Sequence, residues 1–191
     1  MRRCAGAGSA PGAIGLVLVF LLVATPVWGD TLGEATTMDF YSSSHSFRVR
    51  IEPTLEIAVA ERDSSGYQER WRSRFDAPLY PTDALVTDDG KYALTICRSV
   101  MGSQRKVISV FGAGGTLIRA IDLDDLFTSA EKDDLARSVS GIAWAAQVFL
   151  DPAAPILKIR PRFSSADGEH PGPTGFERLV VSLPTGTVSR E

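Results

Sequence analysis

The chain has 191 residues, with 20 Lys plus Arg against 23 Asp plus Glu and a formal net charge of −3. That balance excludes a generic basic nucleic-acid binder. Its 44% hydrophobic and 23% charged residues exclude the charge-rich, apolar-poor composition that keeps a polypeptide disordered, and the length suits one domain.

The N-terminus carries Arg2 and Arg3, then an apolar run of 12 residues from Ala13 to Ala24. A helix needs roughly 20 apolar residues to cross a bilayer, so the run reads as the core of a signal peptide. Pro26 breaks it, and Val27-Trp28-Gly29 offers modest side chains for a cut before Asp30. Residues 1–29 are therefore expected to direct export, to the periplasm or outside the cell, with no stable membrane span after processing. Cys4 would leave with the signal peptide. Cys97 would remain alone, so no internal disulfide is available.

Residues 30–45 are polar, small and aperiodic and read as a flexible segment. Residues 46–191 read as a single β-rich domain. Phe47, Val49 and Ile51 alternate with Ser46, Arg48 and Arg50; Leu55, Ile57 and Val59 alternate in the next run; Trp71 and Phe75 oppose Arg70, Arg72 and Arg74. The period of two predicts a three-stranded meander with one buried face. Thr87-Asp88-Asp89-Gly90 between apolar runs is a hairpin signal. Val107–Phe111 then turns through Gly112-Ala113-Gly114-Gly115 into Leu117–Ile121. That glycine run leads into a strand pattern, so it is expected to be a hairpin turn and not a phosphate loop. One short helix is predicted from a capping box, Thr128 with Glu131. Ser164–Gly175, rich in Gly and Pro, reads as a solvated excursion.

The order strand, Asp-Gly turn, strand, strand, Gly turn, strand over about 84–127, with a weaker echo over about 142–191, has the layout of propeller blades. On Asp88-Asp89-Gly90 and Leu123-Asp124-Asp125-Leu126, the chain resembles a group of uncharacterised secreted bacterial proteins with β-propeller-like repeats. The resemblance implies a fold but no reaction or ligand. The expected fold class is all-β, mainly antiparallel, as an incomplete β-propeller-like array or stacked meander sheets with one short helix.

The candidate chemistry is sparse. His45 and His170 lie in loop-like stretches, and Cys97 continues a strand pattern as a small, half-buried thiol. Asp88, Asp89, Asp122, Asp124 and Asp125 offer oxygen ligands but lack the alternating 12-residue calcium-loop spacing, so no metal and no cofactor is expected. The main surface feature is a stripe of Arg48, Arg50, Arg70, Arg72, Arg74, Lys158, Arg160 and Arg162 on the polar faces of alternating runs. If those strands neighbour one another, the stripe would suit an anionic glycan or a phosphate-bearing envelope component. Cross-strand pairing with Glu52, Glu56 and Glu69 would neutralise it. The expected function is an exported noncatalytic binding or scaffolding module; the alternative is an exported hydrolase using acidic loop residues such as Asp88 and Asp124. Self-association through open sheet edges is a further expectation.

Overall fold

A computed structural model of the chain describes residues 35–100, 104–138, 141–164 and 178–191. Three successive four-stranded antiparallel meanders make up its body. The first joins β1 (Met38–Tyr41), β2 (Phe47–Glu52), β3 (Glu56–Asp63) and β4 (Gly66–Arg74). It has four strands where sequence alternation predicts three, because β1 lies inside the segment read as flexible. Its Met38, Asp39, Phe40 and Tyr41 pair with Ile51, Arg50, Val49 and Arg48. A run of four residues is too short to stand out by periodicity, and its partner strand supplies what the pattern lacks.

The second meander joins β5 (Asp83–Val86), β6 (Ala93–Ile96), β8 (Ile108–Phe111) and β9 (Leu117–Ile121). Between β6 and β8 the chain detours through β7 (Ser99–Val100). Two short helices follow, α1 (Leu123–Leu126) and α2 (Ser129–Asp133). The capping box of Thr128 and Glu131 starts α2, and a second box of Asp122 and Asp125 starts α1. The count is therefore two helices and not one. β10 (Ala136–Ser138) and β11 (Gly141–Ala143) join β7 in a small three-stranded sheet. The third meander joins β12 (Ala145–Leu150), β13 (Ile156–Pro161), β14 (Leu179–Ser182) and β15 (Val188–Arg190). Part of the predicted solvated excursion, and His170 with it, lies outside the described residues.

The middle sheet is buried on both faces, and its alternation shows why. Ala84, Val86, Ala93 and Phe111 form a core with Val49, Ile51, Ile57 and Val59 of the first sheet. The residues between them, Leu94, Ile96, Ile108 and Val110, join Leu157, Ile159, Leu179 and Val181 of the third sheet. On the side toward the first sheet the middle sheet carries Ala84, Ala93, Thr95 and Ser109, all buried; their small volume lets the sheets approach closely. The order in depth is thus first, middle, third.

The same contact recurs at both interfaces. Gly115, in the turn between β8 and β9, lies where a Cβ would sit 3.0 Å from Trp71 Cε3 on β4. Gly186, in the turn between β14 and β15, lies where a Cβ would sit 2.6 Å from Arg119 Cβ on β9. Each following sheet rests the turn before its last strand on the last strand of the preceding one. This repeated relation fits a β-propeller-like array.

Candidate functional site

Antiparallel pairing puts the turns β1–β2, β5–β6 and β12–β13 at corresponding ends of their sheets. They converge on a cleft of about 380 Å³ lined by Ser43, Asp88, Lys91, Tyr92, Asp151 and Pro155, among others. That volume is within the usual range for a small-molecule site.

Each turn is fastened by short polar side chains. In the first, Ser42 is buried; its carbonyl accepts from the His45 N–H at 2.9 Å and its hydroxyl from the Phe47 N–H at 3.1 Å. The Ser44 N–H then donates across to Asp88 Oδ1 at 2.7 Å, tying the first turn to the second. In the second, the Thr87 hydroxyl donates to Asp89 Oδ1 at 2.6 Å and the Lys91 N–H to the same oxygen at 3.0 Å, while Lys91 Nζ lies 3.0 Å from Asp89 Oδ2. In the third, the Ala153 N–H donates to Asp151 Oδ1 at 2.8 Å, and Lys158 Nζ lies 2.7 Å from Asp151 Oδ2.

These bonds hold all three carboxyls toward the ionised form. The Ser44 N–H and the serine hydroxyls beside Asp88 lower its pKa. Desolvation opposes ionisation of Asp89, but the Thr87 hydroxyl and the Lys91 N–H and ammonium outweigh it and bring its pKa to about 2. The Lys158 ammonium lowers the pKa of Asp151. A carboxyl acting as general acid near neutral pH needs the opposite shift.

The cation stripe does not form one surface. Arg48, Arg50, Arg70, Arg72 and Arg74 belong to the first sheet, whereas Lys158 and Arg160 lie on β13 and Arg162 just beyond it in the third; the middle sheet stands between. Within the first sheet, the register shifts opposite Val59 and Ala60, so Glu69 faces Ala60 and Arg70 is the bulged residue. Strict alternation would have put Arg70 in that slot. Carboxylates meet most of the cations. Arg50 Nε and one terminal nitrogen each donate to Asp39 at 2.7 Å, and Arg48 lies 3.8 Å from the same group. Arg70 Nε donates to Glu61 at 2.7 Å. Arg72 lies 2.7 Å from Glu69 and 3.3 Å from Glu56. Arg74 and Arg160 are exposed and have no carboxylate partner among the described residues.

Other sequence candidates lie apart. The β5–β6 turn carries Asp88, whereas β9 runs back to the far end, where Asp124 pairs with Lys132 and Asp125 lies 3.2 Å from Arg119. Asp88 and Asp124 therefore sit at opposite ends of the middle sheet. Cys97 is buried at that far end, its thiol 3.7 Å from the Tyr80 carbonyl oxygen, and burial pushes its pKa up to about 11. Such a thiol is inert as a nucleophile. Among the described residues no group of three His, Cys, Asp or Glu is placed to hold a metal ion, and no helix is long and apolar enough to cross a membrane.

Sequence reasoning missed two parts of the turn end. Asp151 and Pro155 appear in sequence only as punctuation between strands. Tyr41, His45 and Tyr67 cluster beside the first turn, with Tyr41 and His45 ring centroids 5.7 Å apart and Tyr41 and Tyr67 5.6 Å apart. Their separations in sequence gave no period to detect.

No family model matches the chain, and no curated protein matches it. A solved structure of a protein from Lactobacillus plantarum is similar at 15% identity and a TM-score of 0.41, covering 81% of this chain and 53% of that one. The chain thus spans about half the length of that structure.

Proposed function

We propose that this chain is an exported, noncatalytic binding or scaffolding module that holds its ligand at the turn end of its sheets. The observation that carries the reading is the convergence of three turns, one from each meander, on a single cleft. Fastened turns lower the ordering cost of binding, and a rigid sheet scaffold with a site in its connections is a common arrangement for recognition. Export rests on the N-terminal run over residues 1–29, which lies outside the described residues.

The hydrolase alternative has less behind it. Asp88 and Asp124 cannot converge, and Asp88, Asp89 and Asp151 are all pushed toward the carboxylate form. An anionic envelope partner is a second reading, favoured by the exposed Arg74 and Arg160. Substituting Arg74 and Arg160 with Ser and finding unchanged retention on an anionic glycan or phosphate column would dismiss it. Self-association through sheet edges is a proposal that the mass of the purified chain in solution tests; the bulge and the charges of β4 blunt that edge against pairing.

The cleft is tested by filling it. Ala154 lies partly exposed on its wall, so Ala154→Trp occupies the space without entering the core. Capture from an envelope extract by the wild-type chain should lose its specific species with A154W. An identical captured set from both proteins would contradict the reading.

A further inference from the structure

The outer face of the first sheet carries an aromatic surface that the fold does not need for its core. Tyr41 is 46% exposed, one of three large hydrophobic side chains so exposed among the described residues. Its ring stacks on His45 at an interplanar angle of 29°. Tyr67 supports it from the side at 56°, and the Arg48 guanidinium lies 5.0 Å from the centre of the Tyr67 ring. The Tyr67 hydroxyl donates to the His45 carbonyl at 2.8 Å. The Tyr41 hydroxyl has no partner among the described residues.

The backbone holds this arrangement against its own preference. His45 has φ of 57°, the left-handed region that costs a residue with a side chain about 1 kcal/mol or more. Its ring is exposed, so no gain in core burial offsets that cost. Hydrogen bonds of the turn hold that conformation, the His45 N–H donating to the Ser42 carbonyl at 2.9 Å and the Tyr67 hydroxyl to the His45 carbonyl, and the imidazole lies against Tyr41 as a result. Beside the rings, two residues away on the same face of β1, Asp39 accepts from two N–H groups of Arg50, leaving a two-point carboxylate–guanidinium pair at the surface. Counting Arg48, Arg50, Arg62, Arg72 and Arg74 against Asp39, Glu52, Glu56 and Glu69, this face holds five cations against four carboxylates and is close to neutral, so charge is not its main means of attraction.

We propose that this surface is a docking site for a polysaccharide, with the apolar face of one sugar ring stacked on Tyr41 and its hydroxyls bonded to the Asp39–Arg50 pair. The C–H groups of a pyranose ring carry slight positive charge and meet the negative face of an aromatic ring favourably. Aromatic rings that are rigid and already packed give up little freedom on binding. The near neutrality of the face commits the occupant to a neutral polysaccharide. The proposal goes beyond the cleft reading and stands on different residues.

The test uses the purified chain in native affinity gels, each containing one soluble polysaccharide: a β-linked glucan, an α-linked glucan, a galactomannan or a polyuronate. The wild-type chain should be retarded by at least one neutral polysaccharide. Tyr41→Ala should weaken that retardation about tenfold, and Tyr41→Phe, which keeps the ring, should stay within about threefold. Because Tyr41 is half exposed, unchanged melting of Y41A serves as the folding control. Ala154→Trp should leave the retardation as it is, which separates this surface from the cleft. Retardation by the polyuronate alone, by none of the four, or equally for wild type and Y41A would overturn the proposal.

Discussion

The two ends of the sheets are built from different materials. At the far end, α1, α2 and the small sheet close over the strands with large apolar side chains. Trp144 is fully buried, its indole N–H donating to the Cys97 carbonyl at 2.5 Å, and Phe127 meets Trp144 and Phe163 edge to face at 6.4 and 6.1 Å. Among the described residues a single charged group is sealed in with them. Glu131 is 2% exposed; it accepts from Arg190 at 2.6 and 2.8 Å and from the Thr128 N–H at 2.7 Å, which ties the last strand to α2. At the turn end no such lid is present among the described residues. Short polar side chains hold the turns, and a cleft stays open between them. The contrast teaches that one end supplies cohesion while the other is left free for surface chemistry.

Breaking the far end should therefore cost most. Trp144→Ala should lower stability by about 3 to 5 kcal/mol, read by urea unfolding; a loss under about 1 kcal/mol would mean the lid is not part of the core. Gly186→Ala comes next, since its φ of 67° disfavours a side chain and the new Cβ would press on Arg119. The expected loss is about 1 to 3 kcal/mol, and a neutral result would contradict the close contact between the middle and third sheets.

Glu131 sharpens the comparison through pH. Burial opposes its ionisation, but Arg190 and the Thr128 donors prevail and bring its pKa to about 2 from an ordinary 4.5. A group depressed on folding adds stability above its unfolded pKa, and that contribution fades as pH falls toward the folded value. Glu131→Gln should cost about 1 to 3 kcal/mol at neutral pH, with the gap from wild type narrowing between pH 4.5 and 2. A gap that is constant across this window would refute the linkage. At the turn end, Asp88→Asn should cost under about 1 kcal/mol because its one cross-turn bond is exposed, and thermal unfolding would reveal a larger dependence.

Much of the architecture was legible in the chain because alternation survives wherever one face of a strand is buried. The glycine turn before Leu117, the Asp-Gly turn and the capping box at Thr128 carry their own local chemistry, and each sits where the sequence places it. β1 was hidden because four residues in a serine-rich stretch show no pattern without their partner. The site was far less legible. The cation stripe follows from perfect alternation, and one bulge at Arg70 together with the division between two sheets dissolves it. The cleft joins residues from three turns that together span more than 100 positions of sequence, and only the packing of the three sheets brings Ser43, Asp88 and Asp151 together.

The middle sheet is sealed on both faces between two others. Residue-resolved amide hydrogen exchange tests it most directly. Amides of β6 and β8 should exchange slowest in the molecule, through global unfolding, while those of Ser43 to His45 and Asp151 to Ala154 exchange far faster. Exchange of β6 and β8 as fast as that of the turns would contradict the layered core on which every other inference rests.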